Sequence, residues 1–213
     1  MTVSDTVKSA RRAELLGIAA DLFAERGLRT TTVRDIADAA GILSGSLYHH
    51  FDSKEAIADE ILQSFLTDLF GRYRTIVAAD LPARATLEAL VVASCESFDR
   101  FNSAVAIYQA EAKQLSGTPR FAYIDEYAKE FRDLWYQVLR RGVADGSFRP
   151  ELDVELVFRF LRDTVWVAVR WYKPGGRVPA EMLAQQYLTI VLDGLAVPNV
   201  GTADVPASIG NTQ

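Results

Sequence analysis

Little in this 213-residue chain invites covalent or metal chemistry. It has one cysteine, Cys95, which excludes an intramolecular disulfide and a cysteine-rich metal site and fits a reducing, cytoplasmic setting. Its only two histidines are the neighbours His49 and His50; adjacent side chains project differently from a helix and make a poor metal pair. No glycine-rich phosphate loop with its lysine is present, and no metal-binding cluster. The serine spacing of Gly41-Ile42-Leu43-Ser44-Gly45 is not that of a nucleophile elbow. No enzyme activity, cofactor or metal is therefore expected. Positive charge is also short: 23 Lys and Arg against 28 Asp and Glu leave a net charge of −5. The bulk surface cannot attract a polyanion, so any nucleic-acid contact must be local. No run approaches the ~20 apolar residues of a membrane span; the longest candidate, Thr164–Val169, is broken by Arg170. The first residues, Met1 to Lys8, lack the apolar segment of a secretion signal.

What is present is helical periodicity, from Ser9 to Ala196, in a chain whose 49% hydrophobic content suits a globular core. Leu15, Ile18, Ala19, Leu22 and Phe23 recur at three and four residues and mark a first helix ending at Gly27. Thr30-Thr31-Thr32 offers an N-cap for a second, over Val33 to Ala40, and Gly41 breaks the chain again. A third lies near Ser44 to His50, with Leu47 and Phe51 as apolar contacts. Asp52 or Ser53 caps a long fourth, to Ala79. Six helices in all follow the first three: the fourth, then Pro82–Phe101, Ser103–Leu115, Arg120–Ala144, Val154–Lys173 and Ala180–Leu195. Val197–Gln213, rich in Gly, Pro, Ser, Thr and Asn, reads as a disordered tail.

Two short helices joined by a glycine turn match a helix-turn-helix, whose second helix enters the major groove by its N-terminal residues. Ser44, Gly45 and Ser46 are small enough for close approach there. Tyr48 and His49 can reach phosphates or base edges, and His50 packs inward. Lys54 opens the fourth helix, where the helix end and its own charge both favour a phosphate. Thr32 completes the DNA-facing set at the start of the second helix. Residues 1–55 hold seven basic and eight acidic residues, so a purely structural helix-turn-helix stands as the alternative.

Ala37-x-x-Ala40-Gly41 followed by Gly45-x-Leu47-Tyr48-x-His50-Phe51-x-Ser53-Lys54-Glu55 resembles the DNA-binding signature of the TetR family of repressors, over Arg11 to Ile57. The resemblance implies an all-α fold: residues 9–52 as a three-helix DNA-binding domain and 53–196 as a six-helix effector-binding and dimerisation domain. It implies a homodimer paired through the last two helices, numbers eight and nine, on double-stranded palindromic operator DNA. The stripe Met182, Leu183, Tyr187, Ile190, Val191 and Leu195 suits that pairing, and suits an ordinary core equally. The family's usual Ser-Lys after the turn is replaced by Leu43-Ser44. Ser44 then caps the third helix, and Leu43 can pack on a thymine methyl.

The eighth helix is the most informative part of the body. With ~100° per residue and Arg162 at zero, Lys173 and Glu155 fall near ~20°, Trp166 near ~40°, Arg159 near ~60°, Arg170 near ~80° and Asp163 near ~100°. One reading is a solvated face with an Arg159–Asp163 pair. The other is an anion site, with Arg162, Arg170 and Lys173 on phosphate or carboxylate and Trp166 on a planar group. Arg159–Gly176, Ile42–Phe51, Gln185-Gln186-Tyr187 and Ile107-Tyr108-Gln109 are similar to one actinobacterial branch of the family. That branch represses genes for the ring-opening part of cholesterol breakdown, and Leu43-Ser44 looks like its mark. The resemblance implies as effector a steroid-derived CoA thioester, its apolar part in a cleft drawn from Phe65, Leu69, Phe70, Tyr73, Tyr108, Phe121, Tyr123, Tyr127, Phe131 and Trp135. Phe70, Tyr108 and Tyr127 are the leading candidates among these. A fatty-acyl-CoA or drug sensor of the same fold, a helical CoA-thioester enzyme and a protein-binding scaffold are the alternatives.

Overall fold

The structure, a computed structural model, describes residues 3–193. Its elements are α1 (Val3–Arg26), α2 (Val33–Ala39), α3 (Ser44–Leu47), α4 (Lys54–Ala78), α5 (Ala83–Leu115), α6 (Tyr123–Ala144), α7 (Val154–Val167) and α8 (Ala180–Leu188). The segment expected to be a disordered tail, 197–213, lies outside the described residues, as does Leu195 of the expected stripe.

Local chemistry accounts for the breaks. Gly27 and Gly41 adopt φ of 87° and 65°, a left-handed backbone that glycine enters without steric cost. They end α1 and α2. Ser53, not Asp52, caps α4 by accepting the Ala56 N–H at 3.0 Å. Two helices expected on either side of Asn102 form one element, α5, with a kink at Phe101 (φ −137°, ψ 30°). The helix expected over Val154–Lys173 stops at Val167 and continues only as a 3-10 turn, Ala168–Arg170. The last expected helix ends at Leu188 and passes into a π turn, Thr189–Asp193.

Leu15, Ala19, Leu22 and Phe23 of α1 close on Ile36, Ala37, Leu47 and Phe51, forming a small head with its own buried centre. α4 leaves this head and enters the body. α5 returns alongside it, with Arg100 donating to Asp68 at 2.7 Å and Tyr73 and Ser94 hydroxyls 2.5 Å apart. The start of α6 lies against the start of α4 through Tyr123 and Asp59, and its end meets Asp80 through Arg141. Rings fill the body: Trp166 sits edge-on to Phe65 and Phe98, and Phe131 leans on Trp135 and Phe158. No helix among the described residues is long and apolar enough to cross a membrane.

Candidate nucleic-acid interface and ligand cavity

Helices of seven and four residues leave most of their end groups without intrahelical partners. In the head, side chains supply them. Thr32 caps α2: its Oγ1 accepts the Asp35 N–H at 3.1 Å, and Asp35 accepts the Thr32 N–H at 2.7 Å. The Thr32 hydroxyl also donates to the Asp35 carboxylate at 2.6 Å, and this bond, with that from the Thr32 N–H, holds the carboxyl below its ordinary pKa. Thr31, fully buried, donates to the carbonyl of Gly27 at 2.8 Å. Arg12 bridges head and body, ion-paired to Glu60 at 2.7 Å with its guanidinium 4.2 Å from the Phe51 ring.

Lys54 has a different task from the one its position suggests. Its Nζ donates to the carbonyls of Leu28, Arg29 and Thr31 at 2.8, 3.2 and 2.9 Å. An ammonium has three protons, and all three are used on the α1–α2 loop. Lys54, expected on a phosphate, is here the staple that holds the loop in place. The expected cap at Ser44 is corrected. Ser44 is the first residue of α3, and the cap position belongs to Leu43, whose side chain makes no cap bond. Leu43 is instead 80% exposed and Tyr48 56% exposed. Gly45 and His49 are exposed beside them, Ser44 and Ser46 half-buried, and Leu47 faces the core. The surface presented by α3 is thus one leucine, one tyrosine and one histidine around small residues, with no cation.

The body holds a cavity of about 580 Å³ between α4, α5, α6 and α7. Its apolar wall includes Phe65, Leu69, Phe70, Phe131, Phe158 and Trp166, and its polar lining includes Lys113, Asp125, Lys129, Arg132, Arg162 and Asp163. Tyr108 also lines it, and burial raises its phenol's pKa, with the Asp125 carboxylate adding to the effect.

Of the seven residues expected to meet an effector, Arg162, Trp166, Tyr108 and Phe70 line this cavity. Tyr127 does not; its ring lies behind the wall, 4.6 Å from that of Phe70. Arg170 and Lys173 are also corrected. The α-helical step ends at Val167, so the wheel that grouped them with Arg162 does not extend to them, and neither lines the cavity. Trp166 is no part of a charged stripe. It is 6% exposed and packed among rings, while Arg162 carries the rim. Arg159 pairs with Glu155 at 2.6 Å rather than with Asp163, which binds Arg162 at 2.6 Å. Lys113, Lys129 and Arg132 escaped the sequence reading. Lys129 and Arg132 had a signal in the run Asp125, Ala128, Lys129, Arg132, one face of a helix at four- and three-residue spacing; Lys113, on α5, lies outside that run. Among the described residues no three His, Cys, Asp or Glu side chains converge on a metal-sized site.

A helical head with an outward-facing α3, joined by α4 to a body with a ligand-sized cavity, is the architecture of a helix-turn-helix regulator. Residues 15–61 match the model of "Bacterial regulatory proteins, tetR family" and residues 80–195 that of "Tetracyclin repressor-like, C-terminal domain". The chain is 69% identical to the HTH-type transcriptional repressor KstR2 of Rhodococcus jostii, over 90% of this chain and 94% of that one. It is 55% identical to KstR2 of Mycobacterium tuberculosis H37Rv, over 90% of this chain and 96% of the relative. A solved structure of the ketosteroid transcriptional regulator KstR2 of M. tuberculosis superposes with a TM-score of 0.84, at 56% identity, over 86% of this chain and 94% of that one. The chain belongs to the TetR family. It is a transcriptional repressor of the KstR2 type rather than an enzyme.

Proposed function

We propose that the protein binds a palindromic operator as a homodimer and is released by a steroid-derived CoA thioester. The carrying observation is the cavity: an aromatic wall under a cationic rim fits a molecule with an apolar ring system at one end and phosphates at the other. Similarity to KstR2 repressors, one of them named a ketosteroid transcriptional regulator, supports the steroid class.

Leu43, Tyr48 and His49 form the base-reading surface, with Ser44, Gly45 and Ser46 permitting close approach. The dimer uses the apolar residues that α7 and the last turns leave exposed: Leu156, Phe160, Val167, Met182, Ile190 and Val191. Thr164 and Tyr187 hydroxyls, 2.8 Å apart, hold α7 and α8 together as one face. Half-sites then lie about 34–36 Å apart, one helical turn of DNA.

Two elements connect cavity and head. α4 begins at the Lys54 staple and carries Phe65, Leu66, Leu69 and Phe70 into the wall. The second half of α5 lines the cavity from Tyr108 to Lys113, while its Glu111 accepts the Leu28 N–H at 3.3 Å and its Ser103 donates to Asp21 at 2.6 Å. A ligand that shifts either wall moves the head.

The test is a gel shift on the DNA upstream of the protein's own gene, titrated with a bicyclic steroid-derived CoA thioester, its free acid and a fatty-acyl-CoA. Release by the steroid thioester alone is expected. Release by the fatty thioester alone would reassign the ligand, and retention with all three would remove the thioester reading.

A further inference from the structure

The rim of the cavity carries more positive charge than the chain as a whole leads one to expect. Lys113 comes from α5, Lys129 and Arg132 from α6, and Arg162 from α7. Two carboxylates share the rim. Asp163 is engaged by the Arg162 Nε at 2.6 Å, and Asp125 lies beside Tyr108. Arg132 is held only loosely, by its neighbour Asp133 at 3.6 Å. Lys113 and Lys129 are exposed and have no carboxylate within ion-pair distance among the described residues. Four cations against two acids leave this rim two positive, on a chain that is five negative. By contrast Arg170 and Lys173, the cations nearest in sequence to the end of α7, lie outside the cavity.

Size adds a second constraint. A cavity of about 580 Å³ holds one drug-sized molecule. A CoA thioester of a two-ring acid is larger, so its phosphorylated nucleotide must lie at the mouth. Unpaired ammonium groups on exposed stems beside an apolar wall are suited to that end of the ligand: they are free to move onto phosphates without first breaking a protein ion pair.

We propose that Lys113, Lys129 and Arg132, with Arg162, form the phosphate grip of the effector site. The inference rests on the thioester reading for the ligand's class, and it assigns the grip to α5 and α6 rather than to the α7–α8 loop. Lys129 and Arg132, one helical turn apart, take one end of a diphosphate or a ribose phosphate, and Lys113 takes it from α5. Because Lys113 sits two residues from Glu111, which holds the head's Leu28, phosphate binding also loads the part of α5 that touches the head.

Coenzyme A itself, without an acyl group, is the probe. Its affinity for the full-length protein is measured by calorimetry at low and high salt. The Lys113→Met/Lys129→Met double variant should bind it at least about tenfold more weakly, as loss of charged hydrogen bonds implies, with a shallower salt dependence. The Arg170→Met/Lys173→Met variant should match wild type. The N-acetylcysteamine thioester of the same two-ring acid carries no phosphate, and the rim variant should bind it normally, which shows the wall intact. Equal coenzyme A affinity in the rim variant and wild type overturns the proposal. So does an equal loss in the Arg170/Lys173 variant, or wild-type binding indifferent to salt. If the rim variant loses coenzyme A but the steroid acyl group adds nothing to wild-type affinity, the grip stands and the steroid reading falls. If steroid thioester releases operator equally from both proteins, the steroid reading stands and the grip falls.

Discussion

Head and body are both helical, yet different forces hold them. In the head, α2 and α3 are too short to satisfy their own ends, and hydroxyls, a carboxylate and one ammonium bond the main chain: Thr31, Thr32, Asp35 and Lys54. In the body, helices of 14 to 33 residues from α4 to α7 need little such help. There the specificity comes from ring against ring, as in Trp166 between Phe65 and Phe98. The contrast follows from length. A short helix has more ends than middle, so its sequence must carry caps; a long one is fixed by what it packs against. It also suits the two tasks. A reading surface must keep one shape, whereas a wall of rings around a cavity can adjust to what enters.

The sharpest way to break the body alone is Trp135→Ala. Trp135 is fully buried against Tyr73 and Phe131, and its loss should cost about 3–5 kcal/mol of stability by chemical denaturation. The head's counterpart is Lys54→Met. Removing three charged bonds to carbonyls should cost about 1.5–3 kcal/mol and weaken operator binding. The salt slope of that binding should stay at the wild-type value, because the ammonium is spent on Leu28, Arg29 and Thr31. A slope lowered by about one unit would return Lys54 to the phosphates.

A substitution at the rim should separate the regions functionally. Arg162→Met should leave operator affinity unchanged while raising the thioester concentration needed for release by about tenfold or more. Normal release would make Arg162 a solvated side chain. Smallest is the α2 cap: Thr32→Ala should cost about 1 kcal/mol. Its partner Asp35 adds a pH dependence. Thr32 lowers the carboxyl's pKa in the folded state, so the stabilisation is present above the ordinary carboxyl pKa of about 4 and is lost as pH falls through the lowered value. Melting curves of wild type and Asp35→Ala should therefore differ near neutral pH and converge in acid.

The same difference explains what could be read from sequence. Gly27, Gly41, Thr32 and Ser53 act on neighbours a few residues away, so the head's breaks and caps were legible in order. The partners of Lys54 are 23 to 26 residues earlier in the chain, and no local pattern announces them; its place at a helix start pointed to DNA instead. In the body, Phe70 and Tyr108 were legible as apolar candidates for a cleft, whereas Trp166 was grouped with the charged stripe. Which candidates share one wall depends on four helices meeting, and so Tyr127, Tyr73, Phe121, Tyr123 and Trp135 could not be told from those that line it. The eighth-helix wheel failed for a specific reason: it assumed an unbroken α-helix to Lys173, and the chain tightens into a 3-10 turn after Val167.

The proposed release makes occupancy of the cavity and grip on the operator one coupled equilibrium. The direct measurement is the steroid thioester's affinity for the free protein and for the same protein saturated with operator. Coupling of the usual 1–3 kcal/mol predicts about 5- to 150-fold weaker thioester binding to the operator complex, and an equal loss of operator affinity when thioester is saturating. Identical thioester affinity in the two states would contradict the account, because a ligand indifferent to the operator cannot release it.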